Sequence, residues 1–162
     1  MYHTQMEAAR KGIITKEMEI VAEKEFRTEE EIRDLVAKGQ VAICANKRHT
    51  CLDPNGVGSA LRTKINVNLG VSKDCKDYDV EMEKVMAAVN MGAEAIMDLS
   101  SHGDTQPFRR KLTSECPAMI GTVPVYDSVI HYQRDLSTLS AKDFIDVIRL
   151  HAQDGVDFVT LH

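Results

Sequence analysis

Met91-Gly92-Ala93-Glu94-Ala95-Ile96 and Asp154-Gly155-Val156-Asp157-Phe158-Val159 are two copies of one pattern: glycine, a small apolar residue, an acidic residue, then an apolar run. Each copy follows an amphipathic stretch. Asp79 to Met91 places Val80, Val85, Met86 and Val89 at helical spacing, and Ala141 to Gln153 follows Ser140 as a candidate N-cap. Glycine ends a helix, and an apolar run without alternation is a strand buried on both faces. The repeat is weak, but it is the one expected of βα units in a parallel barrel or a doubly wound sheet.

Outward from these copies, further strands are expected at Val41 to Asn46, Arg62 to Leu69, Ala93 to Leu99, Met119 to Val125 and Val156 to His162, with a helix over Thr105 to Cys116. Lys47 to Ser59 holds Pro54, Gly56 and Gly58 and no period, so it is expected to be a surface loop. The first forty residues are helical in character, with Thr15 and Thr28 as N-caps and Gly39 as a stop. The division expected is a helical segment over 1–40 and an incomplete α/β barrel over 41–162. About five strands are visible where a (β/α)₈ barrel needs about eight, so the chain is expected to stop before closure.

A chain of 162 residues, 43% hydrophobic, can build a core of its own. The net charge of -5 gives no general reason to bind nucleic acid or an anionic membrane. There is no apolar run of membrane-spanning length and no signal-peptide pattern at the start, so a cytoplasmic protein is expected. Cys44, Cys51, Cys75 and Cys116 form no Cys-x-x-Cys pair and are expected to be separate thiols rather than disulfides or cluster ligands.

In a βα barrel the chemistry sits at the C-terminal ends of the strands. The polar candidates there are Asn46, Asn66, Asn68, Asp98 with Ser100 and Ser101, Thr122 with Tyr126, and His162. For any single one, capping a helix or satisfying a loop is an equal reading. Asn66 and Asn68 are harder to set aside, because Lys64-Ile65-Asn66-Val67-Asn68 puts two amides on one face of a strand, where Asn is disfavoured. They suit either a heterocycle or ribose ligand or an internal hydrogen-bond network. Gly70-Val71-Ser72 and Ser100-Ser101-His102-Gly103 are weak candidates for phosphate-holding turns. His49, His102, His131 and His151 lack the spacing of a zinc-binding helix, and His151 is expected to be partly exposed and structural.

Five ordered motifs carry a resemblance: Arg10 to Thr15, Lys64 to Gly70, Ile96 to Ser100, Gly121 to Tyr126 and Gly155 to His162. In order and spacing they resemble the N-terminal portion of the phosphomethylpyrimidine synthase family, over essentially the whole chain. The resemblance implies a (β/α)₈ barrel that rearranges 5-aminoimidazole ribonucleotide with a radical made from S-adenosylmethionine at a [4Fe-4S] cluster, and a zinc-type metal. By motif position it implies that Asn68, Met97, Tyr126 and His162 contact the substrate.

The family's cluster cysteines and metal-binding histidines lie beyond the part matched here, so none of these groups is expected to be ligated by this chain, which alone should be catalytically silent. The expected partners are a small nucleotide substrate and either the C-terminal half or a second copy. Two motifs depart from the family: Asn46-Lys47-Arg48-His49-Thr50 stands where Asn-x-Asn-His-Pro is usual, and Ser100-Ser101-His102 where Ser-Thr-Gly is. They keep open a paralogue that makes 5-hydroxybenzimidazole for anaerobic cobalamin, and beside it a non-catalytic half-barrel binding module.

Overall fold

The computed structural model describes residues 2–162, which form two compact units. One is made of the segments up to Ala45 and Asp53–Lys64, the other of Asn46–Leu52 and Ile65–His162.

In the first unit, helices α1 (Gln5–Arg10), α2 (Lys16–Glu25) and α3 (Glu29–Ala37) begin at threonines. Thr15 accepts from the Met18 amide, and Thr28 forms a capping box with Glu31, so each hydroxyl satisfies a first-turn N–H that would otherwise lack a partner. The helices bury Ala9, Met18, Val21, Ala22, Ile32 and Val36 together with Val41 and Ile43 of strand β1 (Val41–Ile43). The sequence placed this strand first in the parallel array. Instead it pairs antiparallel with β2 (Gly56–Gly58), a strand inside the stretch expected to be loop. Hydropathy shows that β1 is buried but not which strand it pairs with, and Gly-Val-Gly carries no strand signal.

The second unit is α/β. Its four-stranded parallel sheet runs β3 (Asn66–Leu69), β4 (Ala95–Asp98), β5 (Met119–Thr122), β6 (Phe158–Val159), in chain order. Helices α4 (Tyr78–Asn90) and α5 (Gln106–Glu115) make the first two crossovers, and α6 (Pro124–Tyr132) and α7 (Ala141–Gln153) make the third. Val67, Leu69, Ile96 and Ile120 face Met82, Val85, Phe108 and Leu112 of α4 and α5. The opposite pleat carries Asn66, Asn68, Ala95, Met97, Met119, Gly121 and Phe158.

The repeated acidic residue has a physical role here. Glu94, just before β4, accepts the backbone N–H of Ile65 before β3; Asp157, just before β6, accepts that of Ile120 in β5. Each carboxylate caps the start of the preceding strand. Helix α6 was absent from the sequence reading, which ran the apolar Val123-Pro124-Val125 on from the strand before it. Pro124 instead opens the helix at its first position, where the missing N–H costs nothing.

Candidate functional site

The C-terminal ends of β3 to β6 bring the sequence-picked residues together in two pairs. Asn68 and Met97 are register partners on β3 and β4, on the pleat that α4 and α5 leave uncovered. Tyr126, in the first turn of α6, holds its ring 6.1 Å from that of His162. Asn68, Tyr126 and His162 are exposed and Met97 is half-buried. Asn66 Nδ2 donates to Asn68 Oδ1 at 2.8 Å, so the two amides form a ladder, and Asn68 Nδ2 has no partner among the described residues. An internal bond and a donor without a protein partner coexist in this pair.

The other candidates at this end are occupied in shaping it. Asp98 accepts from both the amide and the hydroxyl of Ser100; burial raises its pKa, against those bonds and the charge of Arg109. Buried Glu81 accepts from the Gly70 amide. A Cβ on Gly70, at φ 142°, would stand 2.6 Å from the Ser100 amide nitrogen, so only glycine lets the two strand-end turns meet.

Behind the strand ends lies a buried polar network that the sequence did not reveal. Thr122 is 2.8 Å from His151 Nδ1, and His151 Nε2 donates to Asp127 at 2.9 Å. Arg109 bridges Asp127 and Asp154. His151, expected to be partly exposed, is 2% exposed, because α7 turns that face onto β5 and α6. Burial would raise the Asp127 carboxyl, but the bonds from His151 and Thr105 and the Arg109 charge hold it at about 2. The network fixes α6, and with it Tyr126, against the end of β5.

Asn46 belongs to the opposite end of the sheet. Its amide Nδ2 donates to the carbonyls of Ala152 and Val156, and its backbone N–H to Asp157. His49 sits beside it with Nδ1 2.7 Å from Asp157 and Nε2 2.7 Å from the Cys116 carbonyl. Both ring nitrogens face acceptors, so both donate and the ring is an imidazolium. Burial opposes that charge, but the bond to Asp157 and its charge raise the His49 pKa on balance. Asn46 is thus a structural anchor, not a strand-end ligand, a distinction that required knowing which strand leads into it.

Residues 4–162 match the model of the radical SAM ThiC family. The chain is 60% identical over 161 residues to the phosphomethylpyrimidine synthase of Alkaliphilus oremlandii, 58% to that of Clostridioides difficile and 56% to that of Clostridium kluyveri. Each alignment covers 99% of this chain and 37% of the relative, so the chain spans a little over a third of their length. The four-stranded parallel sheet with helical crossovers makes this second unit an α/β protein. Within that class, the chain belongs to the radical SAM ThiC family.

The family name implies S-adenosylmethionine and an iron-sulfur cluster, and the thiols here do not fit a cluster. Cys116 is buried, and burial pushes its thiol up to about 11; burial also raises Cys51, whose Sγ donates to the Cys116 carbonyl. Cluster ligands are thiolates that converge on one point. Among the described residues, no group of three or more His, Cys, Asp or Glu is placed to hold a metal ion.

Proposed function

We propose that this chain forms the first units of a (β/α)₈ barrel and part of the nucleotide site of an enzyme that rearranges 5-aminoimidazole ribonucleotide to the thiamine pyrimidine phosphate. The observation that carries the reading is family membership over residues 4–162, with 60% identity to a phosphomethylpyrimidine synthase. In this reading the radical chemistry belongs to groups held outside this chain, and its own residues bind and orient. The Asn68 amide donates to the ligand's polar edge, Met97 packs against it, and Tyr126 and His162 close the far side. The edge strands β3 and β6 are covered by the C-terminal remainder or a second copy. A biosynthetic enzyme of this kind works in the cytoplasm, and no helix among the described residues is long and apolar enough to cross a membrane.

The pyrimidine product is favoured over the benzimidazole. Of the two motif departures, the one around His49 lies at the N-terminal end of the sheet, where Asn46 and His49 bond to Asp157. Only Ser100-Ser101-His102 remains at the substrate end.

The test is to co-express the chain with the C-terminal remainder of the Alkaliphilus oremlandii relative and assay conversion of 5-aminoimidazole ribonucleotide. Pyrimidine phosphate is the expected product. Asn68→Ala should weaken ribonucleotide binding by roughly three- to tenfold while leaving the unfolding midpoint of the chain nearly unchanged. Equal affinity in variant and parent would remove Asn68 from the site, and a benzimidazole product would replace the reaction proposed.

A further inference from the structure

We propose that Phe158 is the specificity-determining wall of the heterocycle subsite and that Gly121 is glycine so that the Phe158 ring can lie there. The inference rests on the nucleotide site proposed above and names a residue outside the four implied by resemblance.

The argument begins with one row of the sheet. Asn68, Met97, Gly121 and Phe158 are successive register partners across β3, β4, β5 and β6. Partners in a parallel sheet point to the same side, and this is the side that α4 and α5 leave uncovered. The row therefore reads amide, thioether, empty position, aromatic ring.

The empty position is filled by the ring. A Cβ on Gly121 would stand 2.3 Å from Phe158 Cζ, 2.4 Å from Cε2 and 2.9 Å from Cε1. These are the outer atoms of the ring, so the side chain leans from β6 back over β5, about one strand spacing of ~4.8 Å, towards Met97. Gly121 has no positive φ, so it is the space above it, not its backbone freedom, that requires glycine. A glycine inside a strand weakens it and marks a close approach; here what approaches is the ring.

Phe158 is only half-buried despite this support. Its ring lies over the Gly121 backbone, and the next residues along the row are Met97 and then Asn68. A flat heterocycle with polar edges matches that row: its edge to the Asn68 amide, its apolar faces to the thioether and the ring. A sugar phosphate has no such face. The row thus selects for the base of a nucleotide, while the sugar and phosphate are held elsewhere.

Binding to the 162-residue chain, measured by ligand-observed NMR under anaerobic conditions, tests this with two probes, 5-aminoimidazole ribonucleotide and ribose 5-phosphate. Phe158→Leu should weaken the ribonucleotide by roughly three- to tenfold and leave ribose 5-phosphate unchanged, and Phe158→Tyr, which keeps the ring, should bind both like the parent. Gly121→Ala should act like Phe158→Leu by displacing the ring; if that variant does not fold, the Leu and Tyr pair decides. Equal loss for both probes, or none for either, in Phe158→Leu would overturn the role of Phe158 while an effect of Asn68→Ala on the ribonucleotide leaves the site standing. Absence of ribonucleotide binding by the parent, or indifference to Asn68→Ala, would overturn the site itself and this inference with it.

Discussion

His49 shows how one residue ties local chemistry to stability. Its ring, with no side-chain exposure, donates to Asp157 from one nitrogen and to the Cys116 carbonyl from the other, an arrangement open only to the imidazolium. Its folded-state pKa is raised above the ordinary 6.5. The protonated ring is the bonded form, so its contribution is fully present below about pH 6.5 and is lost as pH rises through the folded-state value. Over that window the chain should lose up to about 1.4 kcal/mol per pH unit from this group. Urea unfolding at a series of pH values checks it: His49→Gln should be less stable at the acid end and show a flatter slope than the parent. An unchanged slope would mean that the ring is neutral in the fold. Nothing in the sequence near His49 announces this pair, because Asp157 lies 108 residues away.

At the scale of elements, the three helices around the end of β5 are held by charge rather than by apolar contact alone. Arg109 of α5 is 3% exposed and bridges Asp127 of α6 to Asp154, the C-cap of α7. Arg109→Met should cost about 1.5–3 kcal/mol, since it removes a buried charged donor shared by two carboxylates, of which Asp127 keeps Thr105 and His151 and Asp154 keeps Gln106 and Arg110. Arg149→Ala, which removes a partner of Asp146 with a side chain 67% exposed, should cost under about 1 kcal/mol. Denaturant unfolding of both variants separates the two cases, and equal losses would refute the buried bridge.

The contrast also marks what the sequence could reveal. Helix α7 was legible from Ser140 to Gln153, because its cap and its period are local signals. Asn68 was legible as a strand-end residue for the same reason, whereas Met97 came only from the family resemblance. The Arg109 network, the antiparallel pairing of β1 and the ring of Phe158 over Gly121 were not, since each depends on which distant elements meet. Helix α6 was not read from the sequence because apolar Val123-Pro124-Val125 continues a strand as readily as it opens a helix.

For the whole molecule, the placement of the thiols bears on whether this chain can hold a cluster. Cys44 belongs to the first unit, and Cys51, Cys75 and Cys116 to the second. Within the second unit, Cys75 lies by Glu81 in the turn after β3, at the C-terminal end of the strands, whereas Cys51 and Cys116 lie by the Cys116 carbonyl at the N-terminal end of the sheet. Strands of four residues rise about 3.3 Å per residue, so these two groups are separated by more than a cluster's width. The Cys116 thiol, at about 11, stays protonated at neutral pH, and a protonated sulfur is a poor iron ligand. Anaerobic reconstitution of the chain with iron and sulfide should therefore leave far less than one cluster per chain, and addition of S-adenosylmethionine with reductant should release no 5′-deoxyadenosine. Iron and sulfide analysis together with a product assay measures both. A stoichiometric cluster with reductant-dependent release of that nucleoside would show that this chain generates the radical, and would overturn the proposal that its own residues only bind and orient.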